Sequence, residues 1–168
     1  MKKRMRRLMT IVLAMILILS MNLGVFAATI TGQKAQSIAL NNAGLKASRV
    51  TRLSVEMDDN MYEVKFTRKS DKIRYEYVIT KAGKIKEIEI TYPHTFTSSR
   101  KRIGSIAARK AVAKTARVPL ADVKSGTIRY RIDDGEGIYK LTFRSGNCRY
   151  EVEQLAATGR VIEIDKKY

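Results

Sequence analysis

DDNMYEVKF, residues 58–66, combines a turn with the start of a strand. The first three residues predict a tight turn, because Asp and Asn tolerate left-handed backbone and hydrogen-bond to nearby amides. Tyr62, Val64 and Phe66 then alternate with polar residues, a period typical of a strand with one buried face. The stretch therefore predicts an antiparallel hairpin whose apolar residues face a core.

Alternation of this kind continues on both sides of the turn. A strand-like stretch covers residues 50–57, another covers 73–78, and a last strand follows the turn at 81–83 and runs from Ile85 to Ile90. A helix is predicted ahead of these strands, with Thr31 as its N-cap and Gly44 at its C-terminal end. Its small apolar residues recur at the spacing of one helix face: Ala35, Ile38, Ala39 and Ala43.

The order of these features occurs a second time in the chain. The clearest matching pairs are Ile30 and Ile103, Ala35 and Ala108, Tyr62 and Tyr139, Phe66 and Phe143, Tyr75 and Tyr150, and Gly83 and Gly159. Fixed-order self-similarity is the signature of a repeated unit. We therefore predict an α+β fold of two tandem repeats, residues 29–90 and 103–165, joined by a linker over 91–102. Each repeat is expected to pack one helix on an antiparallel meander of about four strands.

The repeated unit resembles the PepSY domain. The residues that carry the resemblance are Ile30-Thr31, Ala35, Ile38-Ala39, Ala43-Gly44-Leu45, Val50, Asp58-Asp59, Tyr62-Glu63-Val64, Tyr75-Glu76-Tyr77, and Gly83 with Ile85. The second copy departs from the pattern at Gly104, at Arg117 in place of the Gly of Ala-Gly, and at Tyr139-Lys140-Leu141. The resemblance implies an exported domain that binds and restrains peptidases, or otherwise regulates protein activity, and it implies no catalytic residues.

A secretory signal peptide is predicted at residues 1–27. It opens with a basic cluster (Lys2, Lys3, Arg4, Arg6 and Arg7) and continues as an uncharged apolar run to Phe26. Val25 and Ala27 are the small residues that signal peptidase prefers, which predicts cleavage after Ala27. The alternative is an uncleaved N-terminal membrane anchor, since the run nearly reaches the roughly 20 residues that span a bilayer. Either way, the rest of the chain is expected on the extracytoplasmic face of a bacterial cell envelope or in the medium.

The net charge limits the choice of partners. The full chain carries +17, from 33 Lys and Arg against 16 Asp and Glu, and removal of the predicted signal peptide leaves +12. Because an exported protein seldom meets a genome, nucleic acid is not the expected partner. Cell-wall polymers, anionic lipid and acidic protein surfaces are the expected anionic partners, with the membrane itself included if the signal is uncleaved.

Candidate catalytic and metal-binding residues are few. A single Cys and a single His exclude an intramolecular disulfide and disfavour a zinc site. The carboxylate pairs Asp58-Asp59 and Asp133-Asp134 are interpreted as turn residues, His94 as a linker residue, and Cys148 as an unpaired thiol in a strand. We therefore predict that the protein is not an enzyme and needs no metal or cofactor.

The remaining candidates are basic residues that could contact an anionic partner: Arg100, Lys101, Arg102, Arg129, Arg131, Arg144 and Arg149. If the strands pair as expected, the later ones would share a positive sheet face. Interleaving with Tyr130 and Tyr150 would suit single-stranded nucleic acid, whereas the simpler interpretation is a solvated face.

The expected function is an exported, non-enzymatic binding or regulatory module that restrains a peptidase or modulates another protein. The alternative is a basic envelope protein that binds wall polymer or anionic lipid.

Overall fold

The structure is a computed structural model that describes residues 29–95 and 99–168. The predicted signal peptide and its cleavage after Ala27 lie outside these residues. Within them the fold is α+β, with three α-helices and one eight-stranded antiparallel sheet. The helices are α1 (Gly32–Asn42), α2 (Ser105–Ala116) and α3 (Leu120–Ser125). The strands are β1 (Val50–Asp58), β2 (Met61–Arg68), β3 (Arg74–Thr80), β4 (Ile85–Thr91), β5 (Thr127–Asp133), β6 (Glu136–Ser145), β7 (Cys148–Leu155) and β8 (Val161–Lys167).

The strand order is β1-β2-β3-β4-β8-β7-β6-β5. Each set of four consecutive strands is therefore a meander, and the two meanders meet through their last strands. At this seam Ile90 of β4 pairs with Ile164 of β8. The pairing leaves β1 and β5 at the two edges of the sheet.

One face of the sheet carries both long helices. The alternation that predicted the strands places Tyr62, Val64 and Phe66 against Ala35 and Ala39 of α1 in a first core cluster. A second cluster packs Ala108 and Val112 of α2 against β6, β7 and β8. Small residues on the buried face let each helix lie close to the strands. The opposite face of the sheet, which we call the open face, carries mostly charged residues.

The helix ends differ in how they are capped. Thr31 caps α1 as predicted, because its Oγ1 accepts a hydrogen bond from the amide of Lys34 at 3.2 Å. After α1 the chain turns through Gly44 at a φ of +67°. After α2 it turns through Arg117, also left-handed at a φ of +55°. Glycine adopts such angles without the steric penalty that a Cβ brings.

Helix α3 was not predicted from the sequence, because its six residues are too few to show a helical period. Arg109 of α2 holds it in place by donating hydrogen bonds to the carbonyl oxygens of Val123 and Gly126.

The linker predicted over 91–102 is tied to the fold on both sides of its undescribed part. The amide of Tyr92 donates to Ile162 at 2.8 Å, and that of Gly137 donates to Ser99 at 2.9 Å.

Candidate functional site

A groove lies between the C-terminal ends of α1 and α2, over the seam where the two meanders join. We call it the interhelical groove, and its cavity volume is about 320 Å³. Its walls are the helix ends, and its floor comes from β3, β4, β7 and β8. The lining residues are Asn42, Ala43, Arg68, Tyr75, Tyr77, Ile88, Ile90, Tyr92, Thr115, Ala116, Arg117, Tyr150, Ile164 and Lys166. The volume falls at the lower end of the range for ligand sites.

Tyrosine rings form much of the groove surface, and the core holds them rigidly. Tyr75 stacks on Phe66 with ring centroids 5.1 Å apart. Tyr150 stacks on Phe143 at 5.0 Å, with planes only 3° apart. The hydroxyl of Tyr77 donates to the side-chain oxygen of Asn42 at 3.2 Å. Rings fixed in this way offer an apolar surface with phenol groups and lose little entropy on binding.

Three cationic side chains line the same groove. Arg68 makes two hydrogen bonds to the carboxylate of Asp71, at 2.6 and 2.8 Å, and its guanidinium lies 5.8 Å from the ring centroid of Tyr75. The ammonium of Lys166 lies 5.6 Å from the centroid of Tyr150. The third is Arg117, at the end of α2. Cations over aromatic faces gain about 0.5–1 kcal/mol at exposed sites.

Electrostatic effects within the groove agree with this geometry. Burial raises the pKa of Tyr75 and of Tyr92, while the positive charges of Arg68 and Arg117 act in the opposite direction on both. The phenols are therefore neutral hydrogen-bonding groups at physiological pH. Burial lowers the pKa of Lys166, but hydrogen bonds to the phenols of Tyr168 and Tyr150 outweigh burial, and the net pKa is raised. Lys166 thus carries its charge into the groove.

The open face holds four of the basic residues singled out from the sequence: Arg129, Arg131, Arg144 and Arg149. Strand register places them together, as predicted, because Arg144 pairs with Arg149 and Arg129 pairs with Lys140. Two of them are bound to carboxylates. Arg131 contacts Glu153 at 2.9 Å, and Arg149 contacts Glu151 at 2.8 Å.

The open face is not a positive surface, which corrects the expectation from the sequence. Strand pairing brings at least as many acidic as basic side chains to it. The acidic ones include Glu56, Asp58, Glu63, Glu76, Glu87, Glu89, Asp133, Glu151, Glu153, Glu163 and Asp165. The basic ones are Arg52, Lys65, Arg74, Arg129, Arg131, Lys140, Arg144, Arg149 and Lys167. The surplus positive charge of the described residues therefore lies on the helices, turns and loops.

The alternative in which arginines interleave with tyrosines on one surface does not match the strand faces. Tyr130 and Tyr150 belong to the core that faces the helices, whereas the arginines of the same strands point to the open face. Successive strand residues point to opposite faces, so neighbours in sequence cannot share one surface here. A stacking platform for single-stranded nucleic acid is therefore not formed by these residues.

The other three basic candidates precede α2. Arg100, Lys101 and Arg102 are all exposed. The guanidinium of Arg102 lies 4.6 Å from the ring centroid of Tyr130, on the side of the sheet that carries the helices. Whether any of the seven contacts an anionic partner stays a prediction.

The structure also places the residues considered for chemistry. Asp59 and Asp134 both have positive φ, at 43° and 46°, so the turn interpretation of the two carboxylate pairs is confirmed. Cys148 is a half-buried free thiol at the start of β7. The Nδ1 atom of His94 lies 3.3 Å from the carbonyl oxygen of Tyr92. Across residues 29–95 and 99–168 there is no group of His, Cys, Asp and Glu side chains arranged to hold a metal ion.

Sequence reasoning missed the interhelical groove. Its residues lie far apart in the chain, and periodicity assigned most of them simply to the buried side of a strand or helix. One signal was visible: Arg117 stands where the repeated pattern has a glycine.

Comparison with known proteins adds little. No protein-family model matches the sequence, and no curated protein matches it. Among solved structures, a Bacteroides eggerthii protein provisionally described as periplasmic is similar at 12% identity, over 79% of this chain and 86% of that one. The TM-score is 0.29, which is too low to support an inference about fold or function. None of the described helices has the length and hydrophobicity needed to cross a membrane.

Proposed function

We propose that the protein is an exported, non-enzymatic module that binds another protein through the interhelical groove and thereby regulates it. A secreted peptidase is the first candidate partner. The observation that carries the proposal is the groove itself, a concave aromatic surface assembled from both meanders and both long helices. Concave surfaces with rigid aromatic residues and a few polar groups are typical binding sites.

The proposal includes the two-repeat architecture and its resemblance to PepSY domains. Equivalent contacts in the two halves support it. The hydroxyl of Tyr62 donates to the carbonyl of Ile30 at 2.7 Å, and that of Tyr139 donates to Ile103 at 2.8 Å. The Phe66–Tyr75 stack likewise has a counterpart in the second half. Identical long-range contacts at matching positions are what a duplicated unit would retain.

Export rests on the predicted signal peptide at residues 1–27. We place the mature chain outside the cytoplasm of a bacterium, either released or held at the envelope by an uncleaved segment. N-terminal sequencing of the protein from the medium and from the membrane fraction distinguishes the two. A mature N-terminus at Ala28 supports cleavage, and a chain that starts at Met1 in the membrane fraction supports an anchor.

A polyanion-binding envelope protein is the second candidate. It is favoured by the charge of α1, α2 and α3, which carry Lys34, Arg109, Lys110, Lys114 and Lys124 but a single acidic residue, Asp122, within the described chain. Binding of this kind weakens steeply with salt, because it depends on exposed charges. Groove binding, which also buries aromatic surface, should weaken less with added salt than binding through exposed charges alone.

The test uses the mature protein as bait for the extracellular fraction of the producing cells. Thr115 is exposed and lines the groove, so Thr115→Trp should fill it without disturbing the core. Ala121 is exposed on α3 away from the groove, and Ala121→Trp is the matched control. We expect a specific protein to be captured by the wild type and by A121W but not by T115W.

Two results would contradict the proposal. Capture that is equal for both tryptophan variants would exclude the groove as the binding site. Failure to capture any specific protein, together with unchanged activity of the secreted peptidases, would exclude the function. Retention on wall polymer that vanishes with added salt would favour the second candidate.

A further inference from the structure

We propose that the interhelical groove binds an acidic segment of the partner protein, in which carboxylates lie next to apolar side chains. The inference rests on the proposed function and specifies the chemistry of its partner. It is carried by the distribution of charge around the groove, by the backbone of Arg117, and by a comparison of the two halves of the chain.

The charged side chains that line the groove are all cations. Arg68, Arg117 and Lys166 line it, and no carboxylate is among its lining residues. The carboxylate of Asp71 is bound by Arg68 through two hydrogen bonds at the groove's margin. Because the open face carries no positive excess, the positive surplus of the described chain lies on the helices, turns and loops, and the cations at the groove would draw an anionic segment towards it.

Arg117 adopts a backbone conformation that disfavours any side chain. Its φ is +55°, whereas the corresponding turn after α1 is made by Gly44 at +67°. A left-handed residue with a Cβ is strained relative to glycine, and such strain is found where function requires it. Arg52 and Lys72 are left-handed as well, but neither lines the groove, so it is the combination of strain and position that singles out Arg117.

The three cations are also absent from the repeated pattern. Tyr75 pairs with Ile90, while its counterpart Tyr150 pairs with Lys166. Two residues after Phe66 comes Arg68, while two residues after Phe143 comes Ser145. Arg117 replaces the glycine of the first half. Each groove cation thus stands where the other half has an uncharged residue, and the core positions around it are kept.

The shape of the groove favours a peptide over other polyanions. Tyr75, Tyr92 and Tyr150 form a concave surface into which a flat lipid headgroup layer cannot enter. Wall polymers built on phosphate and polyol units have no apolar groups to place against these rings. A peptide with carboxylates beside apolar side chains satisfies both the rings and the cations, and Arg117 can bind a carboxylate through two parallel hydrogen bonds.

The experiment measures fluorescence anisotropy of a labelled peptide of alternating glutamate and leucine, with the glutamine–leucine peptide as its uncharged counterpart. The wild-type protein should bind the acidic peptide at least about tenfold more tightly, the effect of one charge-assisted contact. Arg117→Gln should remove about tenfold of this affinity. Arg144→Gln, an exposed arginine on the open face, should leave it unchanged.

A second variant separates binding from folding. Arg117→Gly should raise the midpoint of urea unfolding by roughly 0.5 M, since it relieves the left-handed strain, while it weakens peptide binding as R117Q does. Loss of binding with a gain in stability cannot result from misfolding.

Equal affinity for the two peptides, or equal binding by R117Q and wild type, would overturn the inference. So would Arg117-dependent binding to phosphatidylglycerol vesicles without binding to the acidic peptide, which would assign the groove to lipid. If T115W abolishes partner capture while R117Q leaves it intact, the inference that the partner segment is acidic is overturned, and the proposed function stands. Acidic-peptide binding that depends on Arg117, without any captured partner, would support the site and count against the proposed regulatory function.

Discussion

Gln154 offers a sharp test of how the second core is built. Its side chain is completely buried on β7, and neither its amide nitrogen nor its amide oxygen has a hydrogen-bond partner in the structure. The residue pairs with Tyr139 across the sheet. In the first half, Tyr62 pairs with Ile79, which is also completely buried. The internal comparison therefore supplies a replacement that a similar site already accommodates, Gln154→Ile.

The expected gain follows from the desolvation of the amide. A buried polar group without a partner destabilises the folded state by about 1–3 kcal/mol relative to a satisfied one. Isoleucine removes both polar atoms and, as a β-branched residue, suits a strand. We expect Q154I to increase the free energy of unfolding by about 1–3 kcal/mol. Gln154→Met, which keeps the unbranched shape, should give a similar gain if desolvation and not shape decides the result.

Urea unfolding followed by circular dichroism measures this change. With a urea dependence of about 2 kcal/mol per molar, the midpoint should rise by about 0.5–1.5 M. Gln33 is exposed on α1, so Gln33→Met is the matched control and should change stability by no more than about 0.5 kcal/mol. A loss of stability in both Q154I and Q154M would refute the reasoning, because it would mean that the amide makes hydrogen bonds, for example to a buried water.

Two further predictions concern pH and packing. Burial and the hydrogen bond and charge of Glu63 raise the pKa of Glu76 to about 7, so the folded state holds this proton more tightly than the unfolded chain. The free energy of unfolding should therefore fall as the pH rises from about 4.5 to 7. Glu76→Gln should remove about 1 kcal/mol of that fall, after allowance for solvent screening. A pH profile of stability, measured by urea titration, that is the same for E76Q and the wild type would contradict this. At Gly126 an added Cβ would lie 2.5 Å from the Cβ of Phe143, so Gly126→Ala should lower the free energy of unfolding by about 1–3 kcal/mol. Gly104→Ala meets nothing within 4 Å and should stay within about 0.5 kcal/mol, and equal effects of the two alanines would exclude a steric cause.

Local pattern predicted the elements better than their assembly. Alternation identified the strands, because each buries one face, and the small residues of α1 and α2 identified the helices. Helix α3 escaped because it is shorter than two full periods and is held by Arg109 from another helix. The pairing of β4 with β8 is a contact between distant segments. No local period encodes it, although it decides which side chains meet at the groove.

The arginines of β5 to β7 show the limit of reasoning from charge. Their placement on one face followed correctly from strand periodicity. Their surroundings did not, since Glu153 of β7 reaches Arg131 of β5 across the intervening strand β6, and Glu151 binds Arg149 on β7 itself. A charged side chain can be judged as a binding residue only when its neighbours across the sheet are known. Those neighbours depend on the strand order.

The proposed duplication separates residues that build the fold from residues that depart from the shared pattern. Where the halves agree, the residues make equivalent contacts that build the core. Tyr62 and Tyr139, for example, each donate a hydrogen bond to the segment that precedes a helix. Positions on which they differ need another explanation, because the same backbone tolerates either residue. Gln154 and Arg117 both differ and are both predicted to lower stability, yet Gln154 is buried in the core whereas Arg117 lines an accessible groove. Accessibility to a partner is what distinguishes a functional departure from an imperfection of packing. Substitutions at 154 should therefore raise the urea midpoint and leave peptide binding unchanged, whereas glycine at 117 should raise the midpoint and weaken binding.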